Sequence, residues 1–263
     1  MITEEMKIQA LLQMIANGEI NQILYKYREV GEYTEKIFTD HTLWFDHPNN
    51  FNDPFDCWAN IQVLNKDAIA EFVVINSPNA YFAGKCKNGI SLYTTDMLKQ
   101  DIDNALKRIG VCCFSKTEKS ILMWSHYCKY HTGICLEFDI LEDPILFTFA
   151  RPVNYVDTMP IYDHFNEQEK LIEKLIQPKA KEWEYEEEVR VVKVHSDIAK
   201  NKGSQAFKFK PSALRKVVFG CKASSETIEK YIKLCKQNGL EHVIFSQMRQ
   251  KNNGKFELQE EMI

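Results

Sequence analysis

Gly110-Val111-Cys112-Cys113-Phe114-Ser115, then Ser120 to Cys128, then Gly133-Ile134-Cys135-Leu136-Glu137-Phe138 are the segments on which the reading of the fold turns. The first is apolar throughout and ends in a polar residue, the pattern of a buried strand. The second sets Trp124 and Tyr127 three residues apart, on one face of a short helix. The third is a second buried-type strand. Working upstream, Ile23 to Tyr27 reads as a strand ending at Arg28, and Thr42 to Phe45 as another. The latter runs into His47-Pro48-Asn49-Asn50-Phe51-Asn52-Asp53-Pro54, a dense turn cluster. Ile8, Leu11, Leu12 and Ile15 recur at helical spacing within residues 3–17, and Gly18 is the stop signal. Residues 66–75 and 94–109 are expected to be helical, with a polar loop near 77–90 between them.

Working downstream, Val153 to Val156 is expected as a strand and residues 165–182 as a charged helix ending near Pro178. Glu186 to Val194 alternates and then turns β-branched, which is strand behaviour. Short strands follow at Phe207–Phe209 and Val217–Phe219, then a helix over 224–237 and a strand from His242 to Phe245. The polar residues after Gln247 are expected to fray. Strands and helices alternate irregularly, which favours α+β over a doubly wound parallel sheet. The organisation expected is a helical segment over 1–20, one α+β domain over 21–250 and a polar tail over 251–263.

Bulk properties narrow the classes. The 263 residues are 44% hydrophobic and 27% charged, with a net charge of -4, so no basic field draws nucleic acid by bulk attraction, although a local basic groove remains open. No stretch reaches the ~18 apolar residues of a membrane span. The first residues carry no basic region followed by an apolar core, so no secretory signal is read there. The eight cysteines are scattered and form no Cys-x-x-Cys pair. They read as reduced, buried thiols of a cytoplasmic protein.

Five groupings carry possible chemistry, each with a plainer reading. In Trp183-Glu184-Tyr185-Glu186-Glu187-Glu188-Val189-Arg190, a strand would place Glu186, Glu188 and Arg190 on one face. Close carboxylates raise each other's pKa and suit general-base work; the plain reading is a solvated edge strand. Trp124 and Tyr127 can stack on a flat ring, or simply form core, and His126 beside them is commonly structural. His126, Cys128, His131 and Cys135 offer zinc-type donors, but at no standard spacing. Asp53 and Asp56 can bind a divalent cation, or shape a turn through local side-chain bonds. Arg28 beside a cleft is a good bidentate partner for a pyrophosphate.

Taken in order, Leu24-Tyr25-Lys26-Tyr27-Arg28, Phe51-Asn52-Asp53-Pro54-Phe55-Asp56, Cys113-Phe114-Ser115, Met123-Trp124-Ser125-His126-Tyr127, His131-Thr132-Gly133 and the glutamate-rich segment resemble a widespread bacterial family catalogued as a domain of unknown function, over about residues 22 to 220. A more distant resemblance is to ADP-ribosyltransferases. It implies a split β-sheet core with flanking helices, and NAD as substrate. It implies that Glu188 stabilises the cationic ribose through its 2″-hydroxyl and that Glu186 orients or deprotonates the acceptor. Arg28 would clamp the pyrophosphate, Ser115 would steady the glutamate or the ribose, and Trp124 or Tyr127, beside His126, would pack at the nicotinamide. The chain departs from the arginine-modifying enzymes in having Phe114-Ser115-Lys116-Thr117 where they have Ser-Thr-Ser. It also lacks the glycine that many members place beside the first-strand residue. The acceptor is left open among protein, DNA and RNA. By the same analogy the role is that of a toxin or phage-defence effector, with an antitoxin or regulator as partner. Two other readings stand beside it: a metal-dependent hydrolase or nuclease built on Asp53, Asp56, His126, Glu186 and Glu188, and a non-enzymatic binding module.

Overall fold

The computed structural model describes residues 3–62, 95–164, 166–194 and 204–263. The helix expected at 66–75 and the loop at 77–90 lie outside them. Among the described residues no helix is long and apolar enough to cross a membrane.

Helix α1 (Glu4–Ala16) starts on Thr3, whose hydroxyl accepts from the Met6 amide, and its two first-turn glutamates complement the helix dipole. It ends before Gly18, at φ 72°. Strand β1 (Ile23–Arg28), helix α2 (Glu32–Thr39), β2 (Thr42–Phe45) and β3 (Asn60–Gln62) follow. Then come α3 (Thr95–Leu106), β4 (Ile109–Ser115), α4 (Ile121–Tyr127, capped by Ser120) and β5 (Ile134–Asp139). The second half holds β6 (Ala150–Pro152), β7 (Asn154–Val156), β8 (Ile161–Asp163), β9 (Pro178–Ala180), β10 (Glu188–Val194), β11 (Gln205–Lys208), β12 (Leu214–Phe219), α5 (Ser225–Gln237), β13 (Ile244–Gln250) and β14 (Leu258–Met262).

Eight strands form one mixed sheet in the order β14-β13-β12-β5-β1-β4-β10-β6. Every pair is antiparallel except β12 with β13, whose parallel crossover is made by α5. Two-residue periodicity gives the sheet two different faces. One carries Leu24, Phe114, Leu136, Phe138, Val189, Val191, Val217 and Phe219, which join Leu11 of α1, Phe38 of α2 and Tyr231 of α5 in the main core. The other carries Tyr25, Tyr27, Ser115, Cys135, Glu188 and Arg190. Over it lies α4, with Met123 and Trp124 packed on Tyr27, Cys135 and Val218. A further cluster gathers Ile102 and Leu106 of α3, Tyr162, Leu175, Val111 and Val192.

The sheet is divided near its middle. Strands β1 and β4 share one register pair, Tyr25 with Ser115, whereas β1 and β5 share six. Farther along, the β4 edge turns to another partner: the Val111 amide and carbonyl bond the backbone of Asp46, at 2.8 and 2.9 Å. Lys26 bridges the opening, its ammonium donating to the Cys113 carbonyl at 3.0 Å.

Three expectations are revised. The charged helix over 165–182 is instead a 3₁₀ turn at Gln168–Lys170, a π turn at Ile172–Ile176 and then β9, which pairs with β7 from Pro178 onward. Leu171, Leu175 and Ile176 have helical spacing, but they serve a buried turn rather than a long surface helix. The strand expected from Glu186 begins at Glu188, because Lys181–Glu186 is a 3₁₀ helix closed by Glu187 in the left-handed region, at φ 43°. In the tail, residues 258–262 return as β14 on the outer edge of β13.

Candidate functional site

Glu188, the first residue of β10, pairs across to Ser115, which pairs across to Tyr25. The three central strands thus set Tyr25, Ser115 and Glu188 in one row, on the face away from the main core. Glu187, left-handed between the two glutamates, turns the chain so that Glu186 and Glu188 reach the same cation, the ammonium of Lys179 on β9. Nζ donates to Glu188 Oε2 at 2.9 Å and to Glu186 Oε2. Arg190, two residues along β10, donates from Nε and Nη2 to Glu188 at 2.8 and 3.0 Å, and from Nη2 to Asp56 at 2.7 Å. Its Nη1 donates to the Ile176 carbonyl at 2.6 Å.

All five charged groups are buried: Asp56 8%, Lys179 6%, Glu186 3%, Glu188 4% and Arg190 0% exposed. Three carboxylates against two cations leave the cluster one negative charge in excess. Such a network is held by mutual satisfaction, and removing one member leaves its partners desolvated and unpaired. Aromatic rings close over the cations: Lys179 lies 5.1 Å from the Trp183 ring centre and Arg190 5.3 Å from that of Phe51.

The two glutamates are electrostatically unlike. Burial pushes the Glu188 carboxyl up, but Arg190 and then Lys179 outweigh it and hold the group well below the usual carboxylate range. Glu186 moves the other way. Burial raises it, Lys179 offsets part of that, and the charge of Glu188 adds to the rise. Its free-side oxygen, Oε1, accepts a 2.6 Å bond from the Tyr127 hydroxyl. Burial and Glu186 in turn hold the Tyr127 phenol far up in its protonated form.

A cavity of about 490 Å³ opens where β1 and β4 part, and Glu186, Glu188 and Lys179 are among the residues that line it. Phe51, Tyr25, Tyr27 and Tyr127 supply aromatic wall, and Lys26 and Arg28 come from β1. A second cavity of about 470 Å³ shares Tyr27, Arg28, His126 and Tyr127 with the first and continues past Glu29, Lys129 and Tyr130. Lys129, Tyr130 and His131 are all left-handed, with φ of 45°, 59° and 70°. Such residues cost ~1 kcal/mol or more each. Backbone bonds hold the turn, from Tyr130 to Ser125, His131 to Trp124 and Gly133 to Cys128.

The residues singled out in the sequence have separate fates. Glu186, Glu188, Tyr127, His126 and Arg28 meet at the two cavities. Arg28 stands at their junction, with Nε donating to Thr34 Oγ1 on the α2 side at 3.2 Å. Ser115 also lines the first cavity, but it is fully buried, and its hydroxyl both accepts from the Thr117 amide and donates to the Thr117 carbonyl, so it shapes the turn out of β4. Trp124 does not reach a ligand-facing wall. It is 0% exposed, its indole N–H donates to the Glu118 carbonyl, and its ring meets Tyr27 edge-on. Of the two aromatics offered for ring packing, Tyr127 is the one at the cavity.

In the metal-type groupings the cysteines and carboxylates are otherwise occupied, while Nδ1 of His131 is buried without a hydrogen-bond partner among the described residues. Cys128 donates to the Ile134 carbonyl and Cys135 lies in the apolar cluster beneath α4. Asp53 accepts from the Trp183 indole and the Phe55 amide, the latter bond being the turn-shaping one. The oxygens of Asp56, Glu186 and Glu188 converge on Lys179 and Arg190, so fixed cations stand where a divalent ion would. Among the described residues no group of three or more His, Cys, Asp or Glu side chains is placed to hold a metal.

The sequence reading missed Lys179, and nothing local marks it, since a lysine after a proline reads as surface. It also missed Tyr155 of β7, whose hydroxyl oxygen accepts from the Glu188 amide at 2.8 Å. No curated protein and no solved structure matches the chain. A family model described as Protein of unknown function (DUF2971) matches residues 123–191, a span that runs from α4 into β10 and contains Tyr127, Lys179, Glu186, Glu188 and Arg190.

Proposed function

We propose that the chain is an NAD-consuming transferase of the ADP-ribosyltransferase type, moving ADP-ribose to a macromolecular acceptor. The observation that carries this is the pair Glu186 and Glu188, buried in a cluster of net negative charge on the wall of an aromatic-lined cavity that adjoins a second cavity at Arg28. NAD has a cationic ring and ribose at one end, an anionic pyrophosphate at its middle and an adenosine beyond. Carboxylates at the first cavity, a guanidinium at the junction and Tyr130 with Lys129 in the second cavity complement those parts in order.

In the reaction the bond from ribose C1″ to the nicotinamide nitrogen breaks, and nicotinamide leaves with the electron pair. The acceptor atom bonds C1″ and gives up its proton. The negative cluster stabilises the cationic ribose, and Glu186, reached through Tyr127, is the carboxylate that takes the proton. Glu188 is committed to Arg190 and Lys179, so it acts by charge and by placing Glu186.

The test follows free nicotinamide from NAD in cell lysate, with Glu186→Gln and Glu188→Gln checked for native circular dichroism. Wild type is expected to release nicotinamide, and each folded variant to lose ~10²-fold or more. Absence of release together with absence of NAD binding by calorimetry would overturn the reading; binding without release would indicate a non-enzymatic NAD-binding module.

A further inference from the structure

We infer that Lys179 is the positioning residue of this centre, the group that holds Glu186 and Glu188 together as an unequal pair, one committed to the buried ion network and the other turned toward the cavity through Tyr127. The inference deepens the proposed site, but its own test does not require NAD.

The geometry is specific to Lys179. One ammonium touches both glutamates and lies 3.6 Å from Asp56. It takes Glu186 Oε2 and leaves Oε1 to the Tyr127 hydroxyl. Arg190 cannot replace it, because its donors are spent on Glu188, Asp56, Cys57 and the Ile176 carbonyl. With Lys179 the five groups sum to one negative charge; without it, three carboxylates face one guanidinium and the excess is two. A buried site does not carry that excess, so one carboxyl must bind a proton. Glu188 is held ionised by Arg190, so the proton goes to Glu186.

The groups facing Glu186 come from every neighbouring element. Lys179 comes from β9 and Tyr127 from α4, with His126 next to it at the cavity mouth. Asp56 comes from the loop before β3, and Tyr155 from β7 adds its phenol. Tyr185, on the 3₁₀ helix that carries Glu186, lies close enough to feel its charge, and Glu188 and Arg190 come from β10. Among the described residues, only Lys179 is both positive and in contact with Glu186. The opposite shifts of the two glutamates agree with this division, Glu188 down and Glu186 up.

The experiment follows the Glu186 side-chain carboxyl carbon by NMR across pH in wild type, Lys179→Gln and Lys179→Arg. Lys179→Gln is expected to raise the Glu186 midpoint by ~1 pH unit or more, while Lys179→Arg, which keeps the charge, stays near wild type. A folded Lys179→Gln with an unmoved Glu186 midpoint would overturn the inference, as would a glutamine variant that Arg cannot outperform. If Lys179→Gln does not fold, the wild type decides: the Lys179 ammonium nitrogen signal must shift as Glu186 titrates while the ammonium itself stays protonated. A nitrogen signal that ignores the Glu186 titration is the contrary result. Failure of NAD turnover alters none of these readings.

Discussion

Removing a single carboxylate has a different expected outcome at each glutamate. Glu188→Gln removes the negative charge that two Arg190 bonds and one Lys179 bond share, all buried, and turns one of the two accepting oxygens into an amide donor. It should cost about 3–5 kcal/mol of folding stability, read as a lowered midpoint in urea. Glu186→Gln leaves Lys179 with Glu188 and Asp56 and should cost less, about 1–3 kcal/mol. The pH dependence separates them further. Glu188 has a folded value below its unfolded one, so its stabilisation is present above the ordinary glutamate value of about 4.3 and is lost as pH falls through the folded value. Glu186 has a folded value above its unfolded one, so its own contribution to stability is fully present below about pH 4.3 and is lost as pH rises through the folded value. Urea midpoints across pH should therefore show a decline above that point which Glu186→Gln removes and which Glu188→Gln lessens, since the Glu188 charge is part of what raises Glu186. A decline that persists in Glu186→Gln would assign it to another group. At this scale the sequence revealed which residue types mattered in the glutamate-rich segment. It did not reveal that Arg190 and Lys179 consume them, because those contacts join β9, β10 and a loop more than a hundred residues upstream.

Elements turn on two glycines. Strand β5 starts and strand β12 ends where Gly133 and Gly220 lie against the left-handed turn at 129–131. A Cβ on Gly220 would stand 2.2 Å from the His131 carbonyl oxygen, and one on Gly133 would stand 2.3 Å from that of Arg28. Both obstacles are backbone and cannot rotate away. Gly220→Ala should destabilise by about 1–3 kcal/mol and speed hydrogen exchange of the amides at 130–133 that close the turn. Wild-type stability and unchanged exchange in that variant would remove the packing argument. The same strands show what is readable locally. β1, β2, α4 and β5 were evident because apolar runs, a serine cap and a three-residue aromatic spacing each act within one element. The segment over 165–186 was not. Its glutamates and lysines suit a surface helix, and only the pairing of Pro178–Ala180 with Asn154–Val156 converts it to turns and a short strand. Glutamate also gives no signal for the left-handed backbone at Glu187 that begins β10 two residues late.

For the whole molecule, the α+β class followed from irregular alternation, but the division of the sheet between β1 and β4 is a property of register that no local pattern of residues marks. The same holds for β14, whose polar residues looked like a tail. It covers the outer edge of β13 in a five-pair antiparallel ladder, and Glu260 meets Lys216 at 2.8 Å, where the same ammonium reaches Glu137 of β5. Deleting residues 251–263 would expose the β13 edge and break that triad. Uncovered edges pair with other chains. The truncated chain is therefore expected to melt several degrees lower and to associate as its concentration rises, both readable by calorimetry and size-exclusion chromatography. The charged centre should be unaffected, since β12, β5, β1 and β4 stand between β13 and β10. The Glu186 titration in the truncated chain separates the two parts of this argument. An unmoved midpoint with a lower melting temperature would show that the sheet transmits stability without transmitting electrostatics. A moved midpoint would mean that the narrow join at Tyr25 and Ser115, bridged by Lys26, couples the two halves, so that a ligand parting β1 from β4 would alter the glutamates directly.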